Sequence, residues 1–444
     1  MTILSLTNEP GAIALAADIA AGKLSAVEAT EAAIARIESL DGPINAVVVR
    51  DFDRAMQQAR DADARLAKGE SAPLLGVPMT VKESFNVAGL PTTWGLESAA
   101  DNIVDEDALV VKRLKAAGAV IVGKTNVPPM LADMFSENPV YGRTSNPHDL
   151  GRSPGGSSGG AAAAVASGMV ALEYGSDIGG SIRVPAHYCG IWGHKPTYGV
   201  VCGDGHFMPG FEEGAFRPLS VVGPLARNAD DLEALFDATV DRPLPKNTKP
   251  LSEARILLVA DHPSVTMGDA MRQRIEHVVE QLEDSGAEVA RSSDLLPDLV
   301  QQHRDYLHML NIIMMAGAPR ADGTVVTATD WFALLDAQAR NQRRWRELFA
   351  EFDLVIAPPS STASFPHDIT PMKDRELIIN GDVHPAAQQL AWSGLVTFPG
   401  LPATVLPIGE IEGLPVGMQV IADRYDDHRA IDGARQIGAL IAAN

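Results

Sequence analysis

The sequence predicts an α/β fold in which one large domain is built on a β-sheet. Strand-like and helix-like segments alternate along most of the 444 residues, which is typical of α/β sheets. Hydrophobic residues make up 46% and charged residues 21% of the chain, as in soluble proteins with a substantial core. No internal repeat, low-complexity tract or sharp change of composition divides the chain. We therefore expect residues 1–444 to form a single domain.

The first elements can be placed from their end signals. Ser25 and Glu28 form a capping box that begins a helix through Leu40. Residues 41–43, Asp-Gly-Pro, should end this helix. Residues 45–50 then read as a strand, and a polar, alanine-rich helix follows it.

The later segments continue the alternation of strands and helices. The predicted strands lie at residues 75–82, 119–122, 170–174, 255–260, 287–291, 354–357, 403–406 and 417–421. The predicted helices lie at residues 107–117, 158–168, 226–243 and 270–285, with a longer helical stretch over 297–350 that breaks near 317–327. Residues 244–251 read as a linker, and residues 202–218 as a long loop of the kind that forms lids. We expect this loop and the 297–350 helices to shape a substrate pocket.

Charge and composition exclude several classes of partner. The net charge of −21 argues against binding to nucleic acid or to an anionic membrane surface, since both require a cationic face. No window approaches 18 uncharged apolar residues, and the N-terminus lacks the basic start of a signal peptide, so we expect a cytoplasmic protein. The two cysteines, Cys189 and Cys202, form no disulfide framework, and no pattern of metal ligands or cofactor contacts is evident.

Ser181 is the first candidate for chemistry. It follows Gly179 and Gly180, and two glycines before a serine allow a tight turn. Consecutive N–H groups in such a turn can converge on one point, which is what an oxyanion hole requires. A plain turn at the end of a strand would have the same residues, so this motif alone does not distinguish an oxyanion hole from an ordinary turn.

Ser157 and Lys82 are further candidates, each with a structural alternative. Ser157 lies in G-G-S-S-G-G, which is also compatible with a flexible linker or a phosphate-binding loop. Lys82 follows an apolar strand; on the surface it would be an ordinary solvated lysine, but burial would lower its pKa and make it a base. The three histidines near Ser181 offer a rival base, although none lies in a motif that pairs it with a carboxylate. They are His187, His194 and His206.

The motifs around these residues resemble the amidase signature family. The resemblance rests on P-G-G-S-S-G-G-A-A-A-A-V-A-S-G from residue 154, G-S-D-I-G-G-S-I-R-V-P-A from 175 and C-G-I-W-G-H-K-P-T-Y-G from 189. The flanking V-P-M-T-V-K at 77–82 and G-L-P-V-G-M-Q-V-I-A at 413–422 agree with it. Residues 70–230, which hold the signature, are the predicted catalytic core. The resemblance implies a central mixed β-sheet flanked by helices.

The resemblance also implies a role for each candidate. Ser181 matches the nucleophile that forms an acyl-enzyme, Ser157 the relay serine on a cis peptide bond, and Lys82 the base. The backbone N–H groups that match the oxyanion hole are those of Ile178, Gly179, Gly180 and Ser181. Leu131 falls where family members line the acyl pocket, and we expect Met134, Phe135 and the methionines of 309–315 near it.

These roles imply an amidase that cleaves carbon–nitrogen bonds of amides, with aryl amides or carbamates among the substrates. We expect the protein to be a monomer or homodimer that acts on a small-molecule substrate and needs no cofactor or metal. Glu83 and Ile178 replace the Asp and Thr that are usual in the family, but neither change removes a reacting group. The alternatives are an ammonia-releasing subunit of an amidotransferase, whose S-L-D-Q-I-G-P run is missing here, and a catalytically silent binding protein.

Overall fold

The computed structural model describes residues 10–211, 214–215, 217–319 and 323–443. The helices of these residues are α1 Ala12–Ala20, α2 Ala26–Ile44, α3 Phe52–Ala67, α4 Leu109–Ala116, α5 Gly159–Ala166, α6 Arg183–Cys189, α7 Ala229–Asp237, α8 Asp269–Asp284, α9 Leu299–Met314, α10 Ala328–Phe349, α11 Leu390–Thr397 and α12 Asp427–Ala443. The strands are β1 Val47–Arg50, β2 Pro78–Lys82, β3 Val120–Thr125, β4 Glu137–Asn138, β5 Gly142–Arg143, β6 Leu172–Asp177, β7 Trp192–Lys195, β8 Val221–Ala226, β9 Arg255–Leu258, β10 Glu288–Ala290, β11 Leu354–Ala357, β12 Glu376–Ile379, β13 Asp382–Pro385, β14 Ala403–Ile411 and β15 Leu414–Ile421.

A mixed sheet of eight strands organises the domain, in the order β10-β9-β11-β15-β14-β7-β8-β6. The β10-β9-β11 end is parallel, and the pairs from β11 to β6 are antiparallel. A second sheet has the order β1-β3-β2, with β2 and β3 parallel. The predicted α/β class with a mixed sheet flanked by helices is confirmed.

Helix α5 lies in the interior of the domain. Its residues from Gly159 to Val165 are all buried, as expected for a helix that is apolar on every side. A side chain at Gly160 would collide with the backbone of Asn126, so the second glycine pair of G-G-S-S-G-G permits close packing against the β3 end. The helix therefore fixes the preceding serine turn in the core, which excludes the flexible linker.

The bounds of two predicted helices were wrong. Helix α2 continues through residues 41–43 to Ile44, with Pro43 inside its last turn, where the missing N–H removes one i→i−4 hydrogen bond without ending the helix. The turn that ends the helix is made by Asn45, which adopts a left-handed conformation with φ 57°. The predicted helix at 226–243 is shorter, since β8 takes the residues up to Ala226 and α7 ends at Asp237.

Several elements lay outside the prediction. These are the strands β4, β5, β7, β8, β12 and β13 and the helices α1, α6, α11 and α12. The loop at 202–218 contains neither helix nor strand among its described residues, as predicted. Within the described part of the chain, none of the helices combines the length and the apolar character needed to cross a membrane.

Candidate active site

Lys82 is the last residue of β2 and has no exposed surface. Its Nζ lies 2.7 Å from Ser157 Oγ and 2.9 Å from Ser176 Oγ. Burial lowers the pKa of Lys82 to about 7, although the negative charges of Asp177 and Glu173 raise it in part. A large fraction of this lysine is therefore an uncharged amine near neutral pH, in contact with two hydroxyls.

Ser157 follows a cis peptide bond from Gly156 and precedes α5. A side chain at Gly156 would collide with the backbone of residues 133–135, and Gly155 has a φ of 85°, so glycine is required at both positions. The N–H of Ser158 donates to the carbonyl of Ser181 at 3.2 Å. The two serine turns that the sequence identified are thus joined directly.

The turn that carries Ser181 is organised by Asp177. The Asp177 carboxylate accepts hydrogen bonds from the N–H of Gly180 at 2.9 Å and from that of Ile182 at 3.1 Å. It also pairs with the buried Arg183 guanidinium at 2.9 Å. Burial acts to raise the pKa of Asp177, but the charges of Arg183 and Lys195 and the hydrogen bonds to the carboxylate together outweigh it, and the pKa falls to about 2. The carboxylate is therefore a permanent anion that holds the backbone around Ser181.

The predicted oxyanion hole needs one correction. The N–H of Gly180 already donates to Asp177, so it is not free for a substrate oxygen. The N–H groups of Ile178, Gly179 and Ser181 donate to no acceptor in the part of the chain that the structure describes. These three are the available donors in the turn.

Two side chains from distant segments hold the carbonyls of this turn. Tyr306 donates from its hydroxyl to the Ile178 carbonyl at 3.0 Å, and Ser393 donates to the Gly179 carbonyl at 2.8 Å. Because a peptide carbonyl and the following N–H belong to one plane, fixing the carbonyls also fixes the direction of the N–H groups.

A cavity of about 190 Å³ opens onto both serines. Its lining is Trp94, Met130, Leu131, Ser157, Ser176, Asp177, Ile178, Ser181, His206, Phe207, Met208, Phe211, Gly214, Ala215, Arg217, Ser220, Ile313, Met314 and Ala316. The walls are mainly apolar, and they come from the 202–218 loop, the end of α9 and the segment near Leu131. The structure thus places Leu131, Ser157 and Ser181 together.

Phe135 does not line this cavity. It is buried in a separate cluster, where its ring lies 5.3 Å from that of Phe365 and the Arg375 guanidinium stacks over it at 4.1 Å. Met134 belongs to the same cluster, and Met309 is buried in another. The prediction placed these residues by their nearness in sequence, but the chain turns away from the cavity after Leu131.

The histidines do not provide a base for Ser181. His194 pairs with Asp427 at 3.2 Å, a carboxylate partner that the sequence did not reveal, but neither residue lines the cavity. His187 is held by the Gly417 backbone. His206 does line the cavity, where burial and the Lys82 charge lower its pKa to about 3. It is therefore uncharged, and its Nε2 lies 3.0 Å from Ser84 Oγ.

Two residues next to Lys82 were missed. Ser176 provides the second hydroxyl on its Nζ, and Glu173 is wholly buried, with the hydroxyls of Thr80 and Thr125 as partners. Burial raises the pKa of Glu173 to about 8. Both lie on β6, a few residues before Ser181, so the signal was a strand that runs directly into the glycine turn.

The described residues contain one group with the spacing of a metal site, formed by Glu233, Asp237 and His428. None of the three lines the cavity. Lys246 already binds both carboxylates, at 2.9 and 2.6 Å, and the side chain of Arg435 contacts Glu233. The negative charge that a metal would need is thus balanced by the protein's own cations.

Comparison with known proteins gives a consistent result. A family model described as Amidase matches residues 28–317 and 303–431. A Mycobacterium tuberculosis protein, AmiB2, named provisionally as an amidase, is 34% identical over 96% of this chain and 95% of its own length. An indoleacetamide hydrolase of Bradyrhizobium diazoefficiens is 32% identical over 96% of this chain and 85% of its own.

Two further comparisons concern the amidotransferase alternative and the fold. A glutamyl-tRNA(Gln) amidotransferase subunit of Thioalkalivibrio sulfidiphilus is 32% identical over 95% of both chains. A solved structure of a bacterial aryl acylamidase superimposes with a TM-score of 0.84, covering 97% of this chain and 96% of that one. At 24% identity, this second likeness concerns the fold alone.

Proposed function

The chain belongs to the amidase family, and we propose that it hydrolyses amides through an ester formed on Ser181, with Ser157 as proton relay and Lys82 as base. The observation that carries the proposal is the environment of Lys82. Its side chain has no exposed surface, and its Nζ lies 2.7 Å from the hydroxyl of Ser157, which faces the same cavity as Ser181. A surface lysine would be charged and could not accept a proton.

The proposed reaction begins with the uncharged amine of Lys82. It accepts the proton of Ser157, and Ser157 Oγ takes the proton of Ser181 as Ser181 Oγ bonds to the carbonyl carbon of the substrate. The electron pair of the C=O bond moves to its oxygen, where the N–H groups of Ile178, Gly179 and Ser181 stabilise the negative charge.

The second half returns the proton. The carbon–nitrogen bond breaks as the leaving nitrogen takes the proton that passes back from Lys82 through Ser157. A water molecule then attacks the ester on Ser181 with the same relay, which releases the carboxylic acid and restores the serine.

The cavity favours small, apolar amides. Nine of its 19 described lining residues are methionine, leucine, isoleucine, phenylalanine or tryptophan, and flexible methionines adapt to ligands of different shape. The relative named indoleacetamide hydrolase supports an amide of an aryl-containing acid as one substrate class. Carbamates satisfy the same chemistry, so a panel of 4-nitroanilides, primary amides and carbamates would rank the classes.

The test is to trap the covalent intermediate. A fluorophosphonate should add one label to the wild-type protein, detected by intact mass, and peptide mapping should place the label on Ser181. In Ser181→Ala, both the label and the amidase activity should be lost. A label that persists in Ser181→Ala, or that maps to another residue, would contradict the assignment.

Ser220 supplies the matched control. It is a serine that lines the same cavity and has no part in the proposed proton path. The Ser220→Ala protein should still be labelled and active. A loss of labelling in this variant equal to that in Ser181→Ala would mean that the reaction of the probe reports the shape of the cavity and not the nucleophile.

A second candidate is an ammonia-releasing subunit of an amidotransferase. The likeness to the glutamyl-tRNA(Gln) amidotransferase protein of Thioalkalivibrio sulfidiphilus favours it. L-Glutamine would then be the substrate, and a partner protein would co-purify. Ammonia release from glutamine faster than from apolar amides would promote this candidate over the first.

A further inference from the structure

Arg217 is the one cationic side chain among the described residues that line the cavity around Ser181. The other charged lining residue, Asp177, is neutralised by its ion pair with Arg183. His206 is uncharged, because burial and the Lys82 charge keep its pKa low. Among the described lining residues, the one unpaired charge that a ligand meets is therefore the positive charge of Arg217.

The side chain of Arg217 has no partner among the residues that the structure describes. No hydrogen bond or ion pair joins it to any of them, although its backbone carbonyl accepts from the Ser220 N–H at 3.3 Å. The chain has 57 acidic and 36 basic residues, so carboxylates are plentiful elsewhere on the protein. An exposed guanidinium beside a cavity, whose donors bind no described residue, is suited to bind a planar anion in a bidentate geometry.

The other walls limit what such a ligand looks like. Met130 and Phe211 are apolar lining residues with a considerable exposed fraction, 36% and 49%. Leu131 and Met314 continue the apolar surface of the cavity. The ligand that fits these walls is apolar over most of its length and carries its anion at one end.

We propose that the preferred substrates are amides that also carry a carboxylate, and that Arg217 binds this carboxylate while the apolar walls hold the rest. This inference rests on the proposed amide hydrolysis at Ser181. It makes Arg217 a specificity-determining residue with no part in the proton path, so its removal should affect charged substrates and spare neutral ones.

Matched substrate pairs test the proposal. Butyryl 4-nitroanilide is neutral, and the mono-4-nitroanilide of succinic acid places a carboxylate on the acyl side. In the second pair, acetyl 4-nitroanilide is neutral, and the acetyl amide of 5-amino-2-nitrobenzoic acid places a carboxylate on the leaving-group side. We expect kcat/KM for at least one anionic amide to exceed that of its neutral partner about tenfold, the usual scale for a hydrogen bond to a charged group. This excess should shrink as salt is added.

Variants of Arg217 test whether this side chain causes the higher kcat/KM of the anionic amides. Arg217→Gln should abolish it and leave kcat/KM for the neutral amides within about twofold, and Arg217→Glu should reverse the preference. Arg242→Gln removes one exposed positive charge outside the cavity and should change neither value. No excess in either pair, or an excess that survives Arg217→Gln, would overturn the proposal.

A binding measurement distinguishes failure of the Arg217 proposal from failure of the proposed hydrolysis. In a Ser181→Ala background, calorimetry with both anionic amides should show that at least one of them binds about tenfold more weakly when Arg217→Gln is added. This measurement needs no hydrolysis. Equal binding of both ligands with and without Arg217 would overturn the inference even in an active amidase, whereas an arginine-dependent affinity in an inactive protein would contradict only the proposed hydrolysis.

Discussion

Two buried lysines, Lys82 and Lys195, have the same degree of burial and different partners. Both have no exposed surface, and burial lowers the pKa of each to about 7. The Nζ of Lys195 donates to two backbone carbonyls, those of Pro196 at 2.8 Å and Leu401 at 2.7 Å. The Nζ of Lys82 contacts two hydroxyls instead, those of Ser157 and Ser176, and both serines line the cavity.

This difference shows that a lowered pKa is not enough to identify a catalytic base. A carbonyl has no proton to give, so the amine of Lys195 can only donate and serves to join β7 to the segment before β14. A serine hydroxyl can both donate and accept, so the amine of Lys82 has a proton donor within reach. The chemistry of a buried lysine is decided by the groups that surround it.

The largest effect should come from replacing Lys82. Lys82→Met keeps the volume and removes the base, so kcat should fall by about 10² to 10⁴, the contribution of a positioned general base. The melting temperature should hold or rise, because an apolar side chain in this interior position has no charge to desolvate. Hydrolysis of a neutral anilide and a thermal melt measure both. A variant with more than a tenth of wild-type kcat would remove Lys82 from the mechanism.

Lys195→Met is the matched test and should give the opposite result. It leaves two buried carbonyls without a donor, and each unsatisfied group costs about 1–3 kcal/mol of stability. The melting temperature should therefore fall clearly, while kcat of the folded protein loses less than tenfold. Thermal melts and activity per folded molecule separate the two quantities. If activity falls as far as in Lys82→Met with stability unchanged, the comparison between the two lysines fails.

The pH dependence sharpens the role of Lys82. A base acts in its uncharged form, so kcat/KM should rise with pH through an inflection near the Lys82 pKa of about 7. The charge of Asp177, a permanent anion, is the larger of the two that raise that pKa, whereas Glu173, with its own pKa raised to about 8 by burial, is largely uncharged at pH 7. Glu173→Gln should therefore leave the inflection close to its wild-type position.

The control for this measurement is the lysine itself, since the residual activity of Lys82→Met should show no inflection near pH 7. An inflection that moves to clearly lower pH in Glu173→Gln would mean that Glu173 is charged in the active protein, whereas an unchanged profile leaves it a structural role with its threonine partners, Thr80 and Thr125.

The sequence singled out Lys82, Ser157 and Ser181, which the structure brings to one place, because the glycine turns and the strand end around them are local patterns. It could not locate Tyr306 or Asp427, because only tertiary packing brings them to their partners. Tyr306 is 128 residues from Ile178 in the sequence, and Asp427 is 233 residues from His194. For the same reason it assigned Phe135 to the pocket, where nearness in sequence was the only guide.

The fold shows the same limit. The alternation of elements predicted the α/β class, but α12 was missed, since Gly433 and Gly438 within it lower helix propensity. Side chains there would collide with Leu354 and Trp192, so the two glycines serve close packing against the sheet. A helix whose sequence is selected for packing gives a weak local signal.

The smallest expected effect comes from Tyr306, whose hydrogen bond is structural, like those of Lys195, but lies next to Ser181. Tyr306 resembles Lys195 in donating to a backbone carbonyl, but its acceptor, Ile178, lies in the turn that presents Ser181. Tyr306→Phe removes one hydrogen bond worth about 1 kcal/mol, so kcat should fall about fivefold with KM little changed, because the bond orients donors used in the transition state. Tyr188→Phe is the control: its buried hydroxyl contacts Ser360, and Tyr188 does not line the cavity. Equal kcat losses in the two variants would show that the oxyanion turn holds its shape without Tyr306, and that any buried tyrosine hydroxyl matters to the same extent.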